Sequence, residues 1–263
     1  MEERLLVCSP SLAPNPSLPS PESNTNIYSP VRLQSGSLAI FSPVALTPTV
    51  KSKLQSLSPN PPHTYLIAPD MEHHIFLSPW YSHFSSSHVI APEGLAEKRA
   101  TQNKTDKSVT IIPFSTIFTA KNKSEIKISE EFDKEFEYEY LPSHPNKELV
   151  FHHLPSKTLI EADLLFNLPA TEQYSKTGID PTTGWATRLF AALNNTKGDA
   201  KWQKRLLWYG ISSSDRKGFN ESVKRIGGWG FETIVPAHGD VIPAAEGKGI
   251  FEKVFEWHLK AKD

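Results

Sequence analysis

The run Phe231-Glu232-Thr233-Ile234-Val235-Pro236-Ala237-His238-Gly239-Asp240 sets an imidazole at the mouth of an apolar, β-type stretch. Pro236 stops the strand pattern, and Gly239 leaves little side-chain bulk beside the histidine. A metal-ligating histidine needs such a setting, although a His-Gly after a strand also serves as an ordinary turn. Two stretches upstream present ligand-type residues in the same way. Tyr65-Leu66-Ile67-Ala68 runs into Pro69, then into Asp70, Glu72 and the adjacent His73 and His74. Thr158-Leu159-Ile160-Glu161-Ala162-Asp163-Leu164-Leu165-Phe166 carries acids within an apolar stretch. The strand period of two puts Glu161 and Asp163 on one face. A carboxylate buried there must be paired, hydrogen-bonded or metal-bound, because burying it bare is costly. Histidine and aspartate at strand ends suit zinc, iron or manganese. Each piece alone reads as a turn, a solvated pair or a cap. Three such strand ends together point to one shared metal-type site.

The order of these pieces resembles the metallo-β-lactamase fold. More narrowly, it is similar to a fungal and bacterial branch of that fold catalogued as a domain of unknown function. The stretches that carry the resemblance are Ile67 to Leu77, Pro92 to Arg99, His144 to Phe151, Ser156 to Asn167, and Val235 to Asp240. It covers about residues 26 to 263 and implies a four-layer αββα sandwich of the α/β class. The fold opens with His-x-His-x-Asp-His after a strand. Aligned on the strand Tyr65 to Ala68, the first two histidine positions hold Pro69 and Met71, the aspartate position holds His73 and the last holds His74. A shift of one residue gives Ala68, Asp70, Glu72 and His73 instead. Either way the first histidine pair is missing, and of the first metal's trio only His144 remains. The second metal's set becomes His73, His74, Asp163 and His238.

The resemblance therefore implies one divalent metal rather than two: zinc first, iron or manganese otherwise, or none. With a metal, the expected activity is hydrolysis of a small ester, lactone or phosphoester. Asp163 and His144 would be the catalytic side chains, His144 holding a weak second metal or acting as general base. The alternative is a non-catalytic protein of the same fold, with a structural metal or a metal-free His/Asp network. Four protein ligands on zinc commonly mark a closed, structural site. An iron-based redox role lacks the Gly-rich motif of a flavin partner.

The remaining elements must position these residues. Val31-Arg32-Leu33 and Leu38 to Phe41 read as strands, and Pro48 to Leu57 as a helix with proline in its first turn. A helical turn carries the His73-His74 pair. His88 to Ala91, Val109 to Ile112 and Phe114 to Phe118 read as strands, and Lys121 to Glu135 as a solvated loop or edge. Glu137 to Tyr140 and Leu149 to His153 flank the His144 loop as strands. His152 and His153 fall at a hairpin tip far from Asp163. Lys98-Arg99, following Glu93, reads as an ion-pair cluster or an anion site. From Asn167 the period becomes helical: Trp185 to Leu193, Ala200 to Tyr209, Asp215 to Ile226 and Ile250 to Lys260. The polar stretch Thr171 to Trp185 reads as a lid over the pocket. The six tryptophans read as core and helix-interface residues.

Bulk properties narrow the classes. The chain has 263 residues, 22 prolines and a net charge of −1, with no basic footprint for nucleic acid or for an acidic membrane. The single Cys8 excludes a disulfide framework. Leu5-Leu6-Val7 is too short for a signal-peptide core, which leads to an expectation of a cytoplasmic protein. Residues 1 to 25 are rich in Pro, Ser and Asn and read as a disordered tail, with the folded domain spanning 26 to 263. The partner is a small molecule of unknown identity, and oligomeric state is not legible.

Overall fold

The computed structural model describes residues 29–175 and 180–262. The expected tail over residues 1 to 25 therefore lies outside the described residues, as does part of the expected lid, 176 to 179. Among the described residues, nine strands form two sheets. The first has the order β1 (Ser29–Arg32), β2 (Leu38–Phe41), β3 (Thr64–Ile67), β4 (His88–Pro92), β5 (Thr116–Phe118). β1 is antiparallel to β2, and the remaining pairs are parallel. The second has the order β6 (Phe136–Leu141), β7 (Glu148–His153), β8 (Thr158–Ile160), β9 (Thr233–Val235). Its first three strands are antiparallel, and β9 runs parallel to β8.

The strand period of two explains the layers. In β2, Ala39 and Phe41 point between the sheets, where they meet Tyr65 and Ile67 of β3 and Leu149 and Phe151 of β7. Leu38 and Ile40 point outward with Leu66, onto α1 (Pro48–Leu57), α2 (Leu77–His83) and α3 (Leu95–Thr105). In the second sheet Val150 and Leu159 face the opposite way. There they meet α8 (Arg216–Gly227) and α9 (Gly247–Val254), which present Phe219, Val223, Ile226, Phe251 and Val254. Strands whose two faces are both covered are buried throughout, which is why β2, β3 and β7 show no exposed face. Three apolar clusters separated by two sheets make the αββα sandwich.

Several expected elements differ. Val109 to Ile112 forms no strand; only Thr116–Phe118 pairs with β4. The stretch read as a solvated loop holds α4 (Glu130–Glu135), capped by Ser129 Oγ accepting from Phe132 N. α2 and α3 were not legible. Beyond α5 (Thr171–Tyr174) and α6 (Trp185–Leu193), the expected helix over Ala200 to Tyr209 divides into α7 (Lys201–Arg205) and a π-helical segment, Leu206–Ile211. The last helix divides into α9 and α10 (Glu256–Lys260). β8 ends at Ile160, so Glu161 and Asp163 lie in a turn beyond it rather than inside a strand. Trp80 is fully buried, but Trp185 and Trp202 are exposed, where core or helix-interface positions were expected. Among the described residues no helix is long and apolar enough to cross a membrane.

Candidate metal centre

Three chain exits meet at one edge of the sandwich. β8 and β9 are parallel, so the turns that follow them, carrying Asp163 and His238, leave on the same side. β3 in the other sheet is tied to that edge by backbone bonds from Leu149 N to Pro69 O (2.6 Å) and from Met71 N to Asn146 O (3.0 Å). His73, Asp163 and His238 thereby offer ligand atoms that all lie within 4.8 Å of one another. His73 Nε2 is 3.3 Å from His238 Nε2, and His238 Nε2 is 3.3 Å from Asp163 Oδ1. Two ligands held about 2.0–2.2 Å from one tetrahedral ion stand about 3.3–3.6 Å apart, so these separations fit a shared ion.

Each of the three is held by neighbours. Asp70 Oδ1 accepts from the backbone N–H of Glu72 (2.8 Å) and of His73 (2.7 Å), which forms the turn after β3. Its Oδ2 takes His73 Nδ1 at 2.7 Å. The carboxylate thus fixes the ring so that Nε2 faces the site, the orientation that metal-bound histidines receive from an outer partner. Burial disfavours a charged His73, but the Asp70 carboxylate outweighs it and raises the imidazole above its ordinary range. Asn146 Nδ2 donates to Asp163 Oδ2 at 2.6 Å. Burial pushes the Asp163 carboxyl up, but hydrogen bonding to His238, the nearby His73 and Asn146 hold it well below the usual carboxylate range. The Asp163 anion is the form a cation would bind. Phe166 lies against the flat of the His238 ring, with centroids 5.5 Å apart. The His238 turn closes on Asn167, whose N–H donates to His238 O (3.2 Å) and whose O accepts from Asp240 N (3.0 Å).

Glu148 and Glu161 support the Asp163 turn from beneath. Glu148 Oε1 accepts from Ala162 N at 2.7 Å, and Oε2 from Asp163 N at 3.2 Å. Glu161 Oε2 accepts from Leu164 N (2.8 Å) and Leu165 N (3.2 Å). Burial, together with the surrounding carboxylates, raises both well above the ordinary range. Sequence reading missed the roles of Asp70, Asn146 and Glu148. Asp70 carried a signal, the Asp-x-x-His spacing that lets one carboxylate cap a turn and reach the ring.

The other candidates lie elsewhere. His74 turns away from the group: its Nδ1 is 3.3 Å from the Arg99 guanidinium, which also donates to His74 O at 2.9 Å. Burial, then the Arg99 and Lys98 charges, lower its pKa to about 4. His144 accepts from Asn146 N at its Nδ1 (3.2 Å) and stacks on Phe219, so the ring braces the Asn146 loop and is outside the group. With Nδ1 accepting, the proton sits on Nε2, which is not the tautomer of a general base at that atom. Glu72 reaches out to Lys98 (2.9 Å), so neither it nor Asp70 supplies the ligands of the shifted alignment. Lys98 makes that exposed pair, but Arg99 bonds to His74 O, Ser78 Oγ and Thr110 O rather than to a carboxylate. It is a buried structural cation and not an anion site. His152 and His153 sit in β7 toward its turn into β8, held by Glu137 (2.9 Å) and Ser156 (2.7 Å).

The group opens on a cavity of about 370 Å³ lined by Asp163, His238, Phe166, Gln173 and Phe190, among others. The expected lid stretch does supply part of its wall, through Gln173, Tyr174 and Pro181. The side chains of His238 and Asp163 keep 31% and 12% of their area exposed.

Among solved structures the chain is similar to a metallo-β-lactamase from Pontibacter korlensis, at 10% identity and TM-score 0.52, covering 99% of this chain and 97% of that one. It is likewise similar to the DIM-1 metallo-β-lactamase, at 11% identity and TM-score 0.52, covering 97% and 95%. A third is the Flv1 flavodiiron core from Synechocystis, at 14% identity and TM-score 0.54; 89% of this chain is covered, but only 52% of that one. No family model and no curated protein matches the sequence. At such identities the likeness shows the fold alone: this chain has the metallo-β-lactamase fold.

Proposed function

We propose that this chain of the metallo-β-lactamase fold is a mononuclear metal-dependent hydrolase of a small ester, lactone or phosphoester. The observation that carries the reading is a three-residue ligand group, His73, Asp163 and His238, which opens on a cavity. Three protein ligands with an open side are the pattern of catalytic zinc sites, whereas four closed ligands mark structural ones. His74 turns away to Arg99, so three ligand residues converge rather than the expected four.

A bound divalent ion would supply a water acidic enough to ionise near pH 7 and an electrophilic centre for the substrate oxygen. The protein's own part follows from its hydrogen bonds. His73 Nε2, His238 Nε2 and Asp163 Oδ1 lie close together and would hold the ion. Asp70 keeps the proton of His73 on Nδ1, so that Nε2 presents its lone pair. Asn146 occupies Asp163 Oδ2 and leaves Oδ1 toward the two imidazoles. Phe166 shields one face of His238 from water.

The test is hydrolysis of p-nitrophenyl acetate by zinc-, manganese- or iron(II)-loaded protein. Activity should disappear with a chelator, return with metal, and be lost in His238→Ala. Equal rates in stripped and loaded protein would overturn the reading. A non-catalytic protein of this fold is the second reading. It is favoured by Pro69 and Met71 standing where the wider fold has its first histidine pair. Tight metal binding without hydrolysis of any ester, lactone or phosphoester would decide for it.

A further inference from the structure

We infer that the cavity beside the metal centre seats an apolar acyl group. This narrows the substrate to a neutral carboxylic ester or lactone rather than a phosphoester, and it rests on the hydrolase reading above. Asp163 and His238 stand on the wall of the cavity, and Phe166, Leu168, Ala170, Phe190 and Ala191 make much of the rest. Phe166 lies against His238 (5.5 Å, 22°) and meets Phe190 edge-on (6.2 Å, 76°). An apolar surface therefore runs without a break from a candidate ligand to α6.

α6 itself is unusual for a surface helix. Trp185, Leu189 and Phe190 are 80%, 52% and 52% exposed. The spacing of i, i+4 and i+5 puts them on one side of the helix. Clustered apolar area of this kind marks a binding surface, and Phe190 joins it to the cavity. Phosphoryl groups are held by arginine, lysine or helix N-termini. Among the described residues, the lining includes no arginine or lysine.

Gln173 is fixed in the wall by its Nε2, which donates to Ala237 O at 2.8 Å. In the hydrolysis, water adds across the acyl C–O bond. The acyl carbon keeps the attacking oxygen, and the alcohol oxygen leaves with a proton.

The test separates binding from chemistry. N-methylacetamide, N-methylbutanamide and N-methylhexanamide, which carry acyl chains of rising length but resist hydrolysis, are titrated into the purified protein by calorimetry. Kd should fall about fourfold per added methylene, and Phe190→Asp should flatten the series. In the metal-loaded protein, kcat/KM should rise from p-nitrophenyl acetate to butyrate to hexanoate, and bis(p-nitrophenyl) phosphate should remain intact. A flat amide series, a series unchanged by Phe190→Asp, or preference for the phosphodiester overturns the inference. An intact amide series with no ester hydrolysis supports the apolar seat and sinks the hydrolase reading instead.

Discussion

Gly239 shows how narrowly the centre is built. Its φ is +112°, and a Cβ placed there would collide with the backbone of Asn167. The residue before it is His238, so relief of the clash must move either that imidazole or the Asn167 bridge. Gly239→Ala should cost at least about 2 kcal/mol in chemical denaturation, and the protein should lose metal. Glu148 acts at one remove, through the N–H groups of Ala162 and Asp163. Glu148→Gln presents an amide N–H₂ to one of those donors. Zinc affinity should weaken about 10–100-fold by calorimetry, with the far-ultraviolet circular dichroism unchanged. His238 and Asp163 were legible in the sequence because each follows a strand-type run. His74 was misread because adjacent residues in a turn point to different sides, and sequence alone does not say which side is the site. Glu148 gave no signal, since its contact is made fourteen residues away across a hairpin.

At the scale of elements, the sequence was most legible where apolar residues recur at the helical period. α1 and α6 occupy the expected ranges, and α8 begins one residue after its expected start because Asp215 is its cap. Asp215 accepts from Gly218 N at 3.0 Å. Asp215→Ala should cost about 1 kcal/mol in urea unfolding, without changing metal content, because α8 packs on β6, α9 and α10. An unchanged midpoint would show that the cap is idle. α3 was invisible because its buried positions are Leu95 and Arg99, and an arginine stem breaks the apolar period. α2 carries Pro79 in its first turn and spans only seven residues, and α4 has only Phe132 as an apolar anchor in the core. The π-helical turn Leu206–Ile211 keeps a helical composition, so no pattern separates it from α7.

At the scale of the molecule, two buried histidines couple folding to pH. Burial and nearby cations lower His74 and His258 to about 4 in the folded protein. Unfolded histidine titrates near 6.5. The folded values lie below the unfolded ones, so the stability from these groups is complete above pH 6.5 and is lost as pH falls toward 4. Glu148, Glu161 and His73, raised in the folded protein, act in the opposite sense, so the comparison is between variants. His258→Asn, in a ring that lies away from the centre against Ser212 and Trp208, should lose less thermal midpoint between pH 7 and pH 4.5 than the unmodified metal-free protein does. Equal changes in the two proteins would contradict neutral burial of His258. The fold delivers His73 from one sheet and Asp163 and His238 from the other, so the ligand group exists only when the sandwich closes. Metal content tests that account most directly. Protein saturated with zinc and then desalted should retain about one ion per chain, measured by elemental analysis. His73→Ala, Asp163→Asn and His238→Ala should each retain far less, and His74→Ala and His144→Ala should keep it. No retained ion, two tightly held ions, or equal retention in the Asp163 and His238 variants would contradict a single centre built on these three residues.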